Sequence, residues 1–191
     1  TNYMKIGIDV GNSDTKTQNT TTPSGYTIQE TRPLLAKEYL FYNGHYYIES
    51  DERFGYVKDK TEDDECLILT LFGIAKEIIF SVKEKMTAEG HKTNSAAEVQ
   101  RRIDAITGIS IGVGLPVGHF DHGTDSLKAY YCKKFGDSIC FEFSGFHFTL
   151  TLNSCTVFPQ DLLAVIKNNE SHIVNDTIVS PNGSIEKLHT K

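Results

Sequence analysis

Runs of apolar residues, and the turns between them, predict that this chain opens with strands. Residues 4–10 form an apolar-rich run, which is typical of a mostly buried strand. A Gly-Asn turn at 11–12 and the polar stretch 14–19 predict a second strand that returns beside the first, followed by a turn at 23–25. The Asn-Gly pair at 43–44 separates two aromatic-rich runs and is the strongest hairpin signal in the chain.

Helical spacing takes over in the middle of the chain. Thr61 is a good N-cap residue, and the acidic residues after it suit the positive end of a helix dipole. The apolar face that follows is broad and consists of Leu67, Ile68, Leu71, Phe72, Ile74, Ala75, Ile78, Ile79 and Val82. Such a face indicates a helix packed against a sheet. Ser95 and Glu98 predict a capping box at the start of a second helix, which continues to Ile106.

The second half of the chain alternates between strands and short helices. Gly108 breaks the second helix, and the run "ISIGVGLPV" at 109–117 predicts another buried strand. We expect a third helix over about 124–135, then a hairpin around 144–145 and a short helix after Pro159. This order of elements predicts an α/β fold with a mixed sheet, a β-hairpin opening and flanking helices.

Three glycines near the end of that strand, Gly112, Gly114 and Gly118, match a dinucleotide-binding loop only superficially. Val117 occupies the position where a G-x-G-x-x-G motif needs its third glycine, and Pro116 interrupts the turn. We therefore interpret the glycines as a close-packed strand end.

Composition and charge exclude several classes of protein. The 191 residues fit one domain of ordinary size, and a hydrophobic content of 39% can form a real core. A net charge of −6 argues against a nucleic-acid-binding surface and for a soluble acidic protein. The sequence contains no apolar run long enough to span a membrane and no signal-peptide pattern, so the cytoplasm is the expected location.

Neither the cysteines nor the histidines match the spacing of a known site. No cysteine belongs to a C-x-x-C pair, and each lies in an apolar run, so buried free thiols are expected. The cysteines are Cys66, Cys132, Cys140 and Cys155. The histidines, which include His119, His122 and His147, are predicted to lie at the surface because none has a triad partner at a diagnostic spacing.

The loop after the first strand, in "MKIGIDVGNSDTK", is the best candidate for chemistry. Asp9 ends the apolar run, Gly11 permits a tight turn, Asn12 and Ser13 offer hydrogen-bond donors, and Lys16 follows as a cation. A phosphate site needs converging backbone N–H groups and a positive charge. A carboxylate at a strand end can hold Mg²⁺ through water. An ordinary hairpin turn explains the same residues, so this loop alone leaves both interpretations open.

Two further stretches support the phosphate site by their resemblance to a known family. The pattern D-x-G-N-x-x-x-K resembles the first phosphate loop of the actin, Hsp70 and sugar-kinase ATPase superfamily, and "IGIDVGNSDTK" is most similar to ParM-like actin homologues. "ISIGVGLPV" resembles the middle strand of their first domain, and "CTVFPQDLLAVI" resembles the end of that domain. The resemblance covers roughly residues 4–167 and implies an actin-like, ribonuclease H-like domain that uses ATP and Mg²⁺.

The resemblance implies a role for each residue of the site. Asp9 would hold Mg²⁺ through water, and Gln160 would orient the attacking water, which makes these two residues the implied catalytic pair. The residues implied to contact or neutralise the nucleotide phosphates are Gly11, Asn12, Ser13 and Lys16. Outside the resemblance, Gln160 is better explained as an exposed residue at a helix start and Lys16 as a solvated strand residue.

The resemblance also implies a second domain, for which the sequence shows no match. A complete actin-like ATPase binds nucleotide between two similar domains, and nothing after Ile166 resembles the second one. We therefore expect an actin-like N-terminal domain at 4–167 and a polar tail at 168–191 with one weak strand at 177–179. With half of the cleft absent, this chain alone is expected to hydrolyse ATP little or not at all.

Three functions stay open at this point. The first is the N-terminal domain of a ParM-like, ATP-dependent filament protein that acts in plasmid or DNA segregation. Its expected partners are copies of itself and an adaptor protein, without direct contact to nucleic acid or membrane. The second is a domain of a small-metabolite kinase or phosphatase from the same superfamily. The third is a nucleotide-independent interaction module that keeps the fold without the activity.

Overall fold

The computed structural model describes residues 3–35, 38–51, 64–92, 95–115 and 120–160, apart from the side chains of 120–122. It also gives the backbone of three short strands after residue 171. In this described part the chain forms a nine-stranded sheet, three α-helices and a separate three-stranded sheet. None of the described helices is long and apolar enough to cross a membrane.

The large sheet contains β1 (Tyr3–Val10), β2 (Asp14–Lys16), β3 (Thr21–Pro23), β4 (Tyr26–Gln29), β5 (Leu40–Tyr42), β6 (His45–Glu49), β7 (Gly108–Leu115), β8 (Ile139–Phe143) and β9 (Phe146–Pro159). The helices are α1 (Glu65–Ala88), α2 (Ala96–Asp104) and α3 (Phe120–Phe135). The small sheet contains β10 (His172–Val174), β11 (Thr177–Val179) and β12 (Ile185–Lys187). The predicted tail thus holds three strands, where the sequence indicated only the middle one.

The strand order of the large sheet is β3-β2-β1-β7-β9-β8-β5-β6-β4. β1, β7 and β9 pair in parallel, and the other neighbours pair antiparallel. Parallel strands need long crossover connections. The connection from β1 to its parallel neighbour β7 includes α1 and α2, and the connection from β7 to its parallel neighbour β9 includes α3. The predicted α/β fold with a mixed sheet, a hairpin opening and flanking helices is confirmed.

Helix α1 is the centre of the core. Its residues 66–75 are all buried, so this part of the helix is covered on every side and not only on the face that the sequence pattern predicted. From the sheet, β1 and β7 direct alternate apolar side chains into the same core, namely Ile6, Ile8, Val10, Ile109, Ile111 and Val113. Helix α1 is therefore the element around which the sheet is arranged.

The sheet curls around α1 because its two edge strands are neighbours in sequence. β3 and β4 stand at opposite ends of the strand order, yet only Ser24 and Gly25 separate them in the chain. Two residues span less than about 11 Å even when extended, so the two edges of the sheet lie close together. The predicted turn at 23–25 thus connects the two edge strands of the sheet, β3 and β4.

The predicted hairpins form as expected. Asn43 has φ of 48° and Gly44 has φ of 82°, which joins β5 to β6 through two left-handed residues. Ser144 (φ 49°) and Gly145 (φ 90°) join β8 to β9 in the same way. Positive φ at both central residues is the type I′ geometry that matches the twist of a hairpin.

The start of α1 is capped by another helix. The predicted N-cap, Thr61, lies outside the described residues, and α1 begins at Glu65 with Asp64 in the N-cap position. The Asp64 side chain makes no capping hydrogen bond. Instead, the N–H of Leu67 donates to the Tyr130 hydroxyl at 3.0 Å, so α3 satisfies one of the unpaired amides of the first turn.

Helix α2 forms only half of the predicted capping box. The N–H of Glu98 donates to Ser95 Oγ at 3.5 Å, but the Glu98 carboxylate accepts from Arg101 and Arg102 at 2.8 Å instead of returning to Ser95. Two guanidinium groups on the same helix compete better for the carboxylate than one backbone amide does. The helix ends at Asp104, two residues before the predicted Ile106.

Helix α3 starts at Phe120, four residues before the predicted start at 124. Gly123 lies in its first turn, and a Cβ there would stand 2.9 Å from Leu115 Cδ2 of β7. The first turn is thus part of the contact between helix and sheet. The sequence pattern did not predict this turn because glycine is a poor helix former.

The prediction of four buried cysteines was wrong for three of them. Cys66 on α1 is buried, Cys132 and Cys140 are exposed, and Cys155 is intermediate. Cys140 lies on β8, whose alternating burial turns this side chain outward although its neighbours are apolar. Burial raises the pKa of the Cys155 thiol to about 12.

The Glu98 carboxylate gives a testable prediction for the pH dependence of α2. Hydrogen bonds from Arg101, and then from Arg102, lower the pKa of Glu98 from its ordinary value of 4.5 to about 2. Because the folded-state pKa is the lower one, this contribution to stability is complete above about pH 4.5 and is lost as the pH falls towards 2. A carbon-detected NMR titration should place the Glu98 midpoint near 2.

The control is the double variant Arg101→Ala/Arg102→Ala, in which the midpoint should return towards the ordinary value of a glutamate. A wild-type midpoint close to that of the double variant would contradict the prediction.

Candidate functional site

Asp9 stands at the carboxyl end of the central parallel strands, on the face of the sheet opposite α1. Ile8 and Val10 are buried towards α1, so alternation along β1 turns Gly7 and Asp9 to the other face. The carboxyl ends of β1, β7 and β9 meet at one edge of the sheet. In open α/β sheets this edge is where ligands bind.

Gln160 reaches Asp9 from the far end of the sequence. It follows β9 directly, and its Nε2 donates to Asp9 Oδ1 at 3.0 Å across 151 positions of sequence. Between β9 and β1 lies β7, where Gly112 and Gly114 have no side chain to obstruct the contact. The structure thus brings together the two residues that the sequence analysis named as the catalytic pair.

The predicted close packing of the glycine-rich strand end is confirmed at Gly112. A Cβ at this position would lie 3.1 Å from Cε2 of Phe158 on β9. Phe158 is 1% exposed and pairs with Gly114 in the β7–β9 register. Its ring therefore takes the space that side chains on β7 would fill, and it supports the segment that carries Gln160.

The loop between β1 and β2 is a tight turn with exposed polar side chains. The N–H of Gly11 donates to the Asp14 carbonyl at 3.1 Å, and a Cβ on Gly11 would stand 2.9 Å from that carbonyl oxygen. Asn12 and Ser13 are exposed. The Ser13 carbonyl accepts from the N–H of Ser24 at 3.0 Å, which ties the loop to the next turn.

Lys16 lies opposite Asp9. In the β1–β2 register Asp9 pairs with Lys16, so both side chains stand on the same face of the sheet. Lys16 is exposed, and within the described residues no ion pair joins it to Asp9. Its ammonium group is thus available to an anion placed beside Asp9.

These groups form a donor set that fits a phosphate with a divalent cation. The Asp9 carboxylate and the Gln160 amide supply oxygen atoms of the kind that Mg²⁺ and its water shell prefer. Lys16 and the polar side chains of Asn12 and Ser13 supply positive charge and hydrogen-bond donors on the adjoining loop. Every residue predicted for the site is therefore at or next to this edge of the sheet.

The sequence analysis missed Glu77, a buried acid on α1. Its carboxylate is 2% exposed and accepts from the Thr17 hydroxyl at 2.5 Å and from the N–H of Asn19 at 3.1 Å. These contacts hold the turn after β2, which explains why β2 ends at Lys16 and not at residue 19. The available signal was an acidic residue directly before the apolar pair Ile78–Ile79 in the most apolar helix of the chain.

Solved structures that align with most of this chain show its fold. An AlfA filament bound to AMPPNP aligns with 97% of this chain at a TM-score of 0.54 and 16% identity. The apo pSK41 ParM protein aligns with 93% of the chain at a TM-score of 0.58 and 15% identity. The filament of AlfA from the B. subtilis plasmid pLS32 aligns with 96% of the chain at a TM-score of 0.53 and 17% identity.

The chain has an actin-like fold. No protein-family model matches it, and no curated protein matches it by sequence. The actin-like part spans 67%, 55% and 68% of the lengths of these three structures, in the order given. The fold predicted from the loop at Asp9 and from the two later stretches is therefore confirmed at an identity too low for sequence matching alone.

Gly11 gives a direct test of the loop geometry in this actin-like fold. We expect Gly11→Ala to destabilise the protein by about 1–3 kcal/mol, since the new Cβ would overlap a backbone carbonyl that cannot rotate away. Urea unfolding measures the change. Gly7→Ala on the preceding strand, β1, is the matched control, because its Cβ would meet only the Gln18 side chain at 3.8 Å. Equal stability of the two variants would show that the loop is not the tight turn described.

Proposed function

We propose that the edge of the sheet at Asp9 binds ATP together with Mg²⁺, and that the chain is the N-terminal part of an actin-like protein that assembles into filaments. The observation that carries the proposal is the hydrogen bond between Gln160 and Asp9. A carboxylate for the cation and an amide for water, joined across the carboxyl ends of three parallel strands, are the parts that phosphoryl transfer needs.

Each residue then has one task. Asp9 would hold the cation, through water, because Mg²⁺ gives up hydration reluctantly. The exposed side chains of Asn12 and Ser13 would contact the β- and γ-phosphates, and Lys16 would offset their charge, while the N–H of Gly11 is used within the turn. The bound Mg²⁺ supplies neutralisation of the phosphate oxygens. Gln160 orients a water molecule without ionising, which suits an amide that neither gives nor takes a proton at neutral pH.

Filament assembly is proposed on the strength of the structural neighbours. Two of them are filaments, and one of those is bound to AMPPNP, an ATP analogue. We extend the proposal to nucleotide-dependent self-association of this protein in the cytoplasm, with an adaptor that links the filament to a plasmid or other DNA cargo. ATP turnover belongs to the protein with a complete nucleotide cleft, and the chain described here contributes the residues on one side of it.

Asp9→Asn tests the site. We expect this variant to bind MgATP at least about tenfold more weakly than the wild-type protein and to lose the dependence of binding on Mg²⁺, because the amide cannot replace a carboxylate as an anchor for hydrated Mg²⁺. Titration of a fluorescent ATP analogue with and without Mg²⁺ measures both effects. Asp125→Asn, at an exposed carboxylate on α3, is the control and should bind like the wild type.

Equal binding by Asp9→Asn and the wild type would contradict the assignment of the site. A wild-type protein that binds no MgATP at millimolar concentration would contradict the proposed function and favour the nucleotide-independent interaction module.

A further inference from the structure

Glu77 is an acidic side chain that the proposed function does not use. It is 2% exposed in the middle of α1, and a buried carboxylate is costly unless donors surround it. Three donors do so: Oε2 accepts from Thr17 Oγ1 at 2.5 Å and from the N–H of Asn19 at 3.1 Å, and Oε1 accepts from Asn19 Nδ2 at 2.5 Å. All three belong to the turn that follows β2.

The turn at 17–20 is built around this carboxylate. The N–H of Thr17 donates to the Thr20 carbonyl at 2.9 Å, and the N–H of Thr20 donates back to Thr17 Oγ1 at 3.1 Å. One helical turn before Glu77, Gly73 lets the strand approach closely, since a Cβ there would stand 3.2 Å from Thr17 Cγ2. Helix α1 thus binds this turn through the Glu77 carboxylate and lets it pack closely at Gly73.

The contact between α1 and this turn determines the position of Lys16. β2 has three residues; it pairs with β1 at two positions, Asp9 with Lys16 and Val10 with Thr15, and with β3 at three positions. So short a strand has few ladder hydrogen bonds to hold its position. Thr17 follows Lys16 directly, so the contact between Thr17 and Glu77 fixes the end of β2 from the opposite side of the sheet.

We propose that Glu77 is a positioning residue for the nucleotide site. By holding the turn at 17–20 on α1, it keeps Lys16 opposite Asp9 and sets the shape of the loop at 11–13, and thereby sets the affinity for nucleotide phosphates. The affinity part of this proposal rests on the proposed function. The positioning part concerns the nucleotide-free protein and is measured separately.

The carboxylate of Glu77 and the amide of Asn19 can be exchanged between the two positions with little change in side-chain shape. In Glu77→Gln, the amide oxygen can still accept from Thr17 and from the N–H of Asn19, and the Asn19 side chain can turn over so that its Oδ1 accepts from the new amide nitrogen. All three hydrogen bonds then lose the strength that the carboxylate charge gave them. In Asn19→Asp, two carboxylates face each other instead. The double variant Glu77→Gln/Asn19→Asp places a carboxylate opposite the amide nitrogen and so restores one charge-assisted hydrogen bond at this contact.

Amide hydrogen exchange and MgATP titration on this set of four proteins test the proposal. Glu77→Gln should exchange the amides of residues 11–16 about tenfold faster or more and should bind MgATP about fivefold or more weakly. The double variant should return both quantities towards the wild-type values. Lys76→Gln is the matched control: the neighbouring side chain pairs with Glu38 and Glu49 and not with the turn, so exchange at 11–16 should stay unchanged.

Two results would overturn the proposal. One is a Glu77→Gln protein that unfolds more easily while exchange at 11–16 and MgATP affinity stay as in the wild type, which is the behaviour of a purely structural residue. The other is a double variant that regains stability without regaining affinity. If Glu77→Gln fails to fold, Asn19→Ala removes a single hydrogen bond at an exposed residue and should give the same two changes at smaller size.

The two proposals fail in different ways. A wild-type protein that binds no MgATP would refute the proposed function, while the exchange rates at 11–16 would still support or refute the positioning of the loop by Glu77.

Discussion

The burial of α1 on all sides is the constraint on which the rest of the structure depends. A helix with ten consecutive buried residues, Cys66 to Ala75, must be covered on every side, and the sheet shares this cover with α2 and α3. On the sheet side, β1, β2 and β3 pack against it, and the link at 24–25 brings the two edges of the sheet together. This arrangement leaves the outer face of β1, β7 and β9 free of α1, and this is the face that carries Asp9.

Two adjacent residues at the end of that buried stretch connect α1 to opposite ends of the strand order. Glu77 holds the turn after β2, beside the candidate site. Lys76 pairs with Glu49 on β6 and with Glu38 before β5, near the other end of the sheet. A small rotation of α1 would disturb both sets of contacts, so the helix links the geometry of the loop at 11–13 to that of the outer strands.

Most of the fold could be predicted from local patterns, and the failures share a cause. Asn43-Gly44 and Ser144-Gly145 specify their turns by backbone conformation alone, so both hairpins were predictable. Glu77 and Cys140 were not, because their surroundings come from residues far away in the chain: a turn at 17–20 in one case and the outward side of β8 in the other. The pairing of Asp9 with Gln160 is also long-range, and only the resemblance to actin-like proteins anticipated it.

We propose that Asp9 and the loop beside it hold a nucleotide with its divalent cation. The most direct measurement is NMR of the isotope-labelled protein with ATP and a trace of Mn²⁺ in place of Mg²⁺, because the paramagnetic ion broadens only the amide signals near it. We expect broadening centred on residues 9–13 and on Gln160, and we expect it to disappear in Asp9→Asn. Broadening centred elsewhere, or the same pattern in wild type and Asp9→Asn, would contradict this proposal.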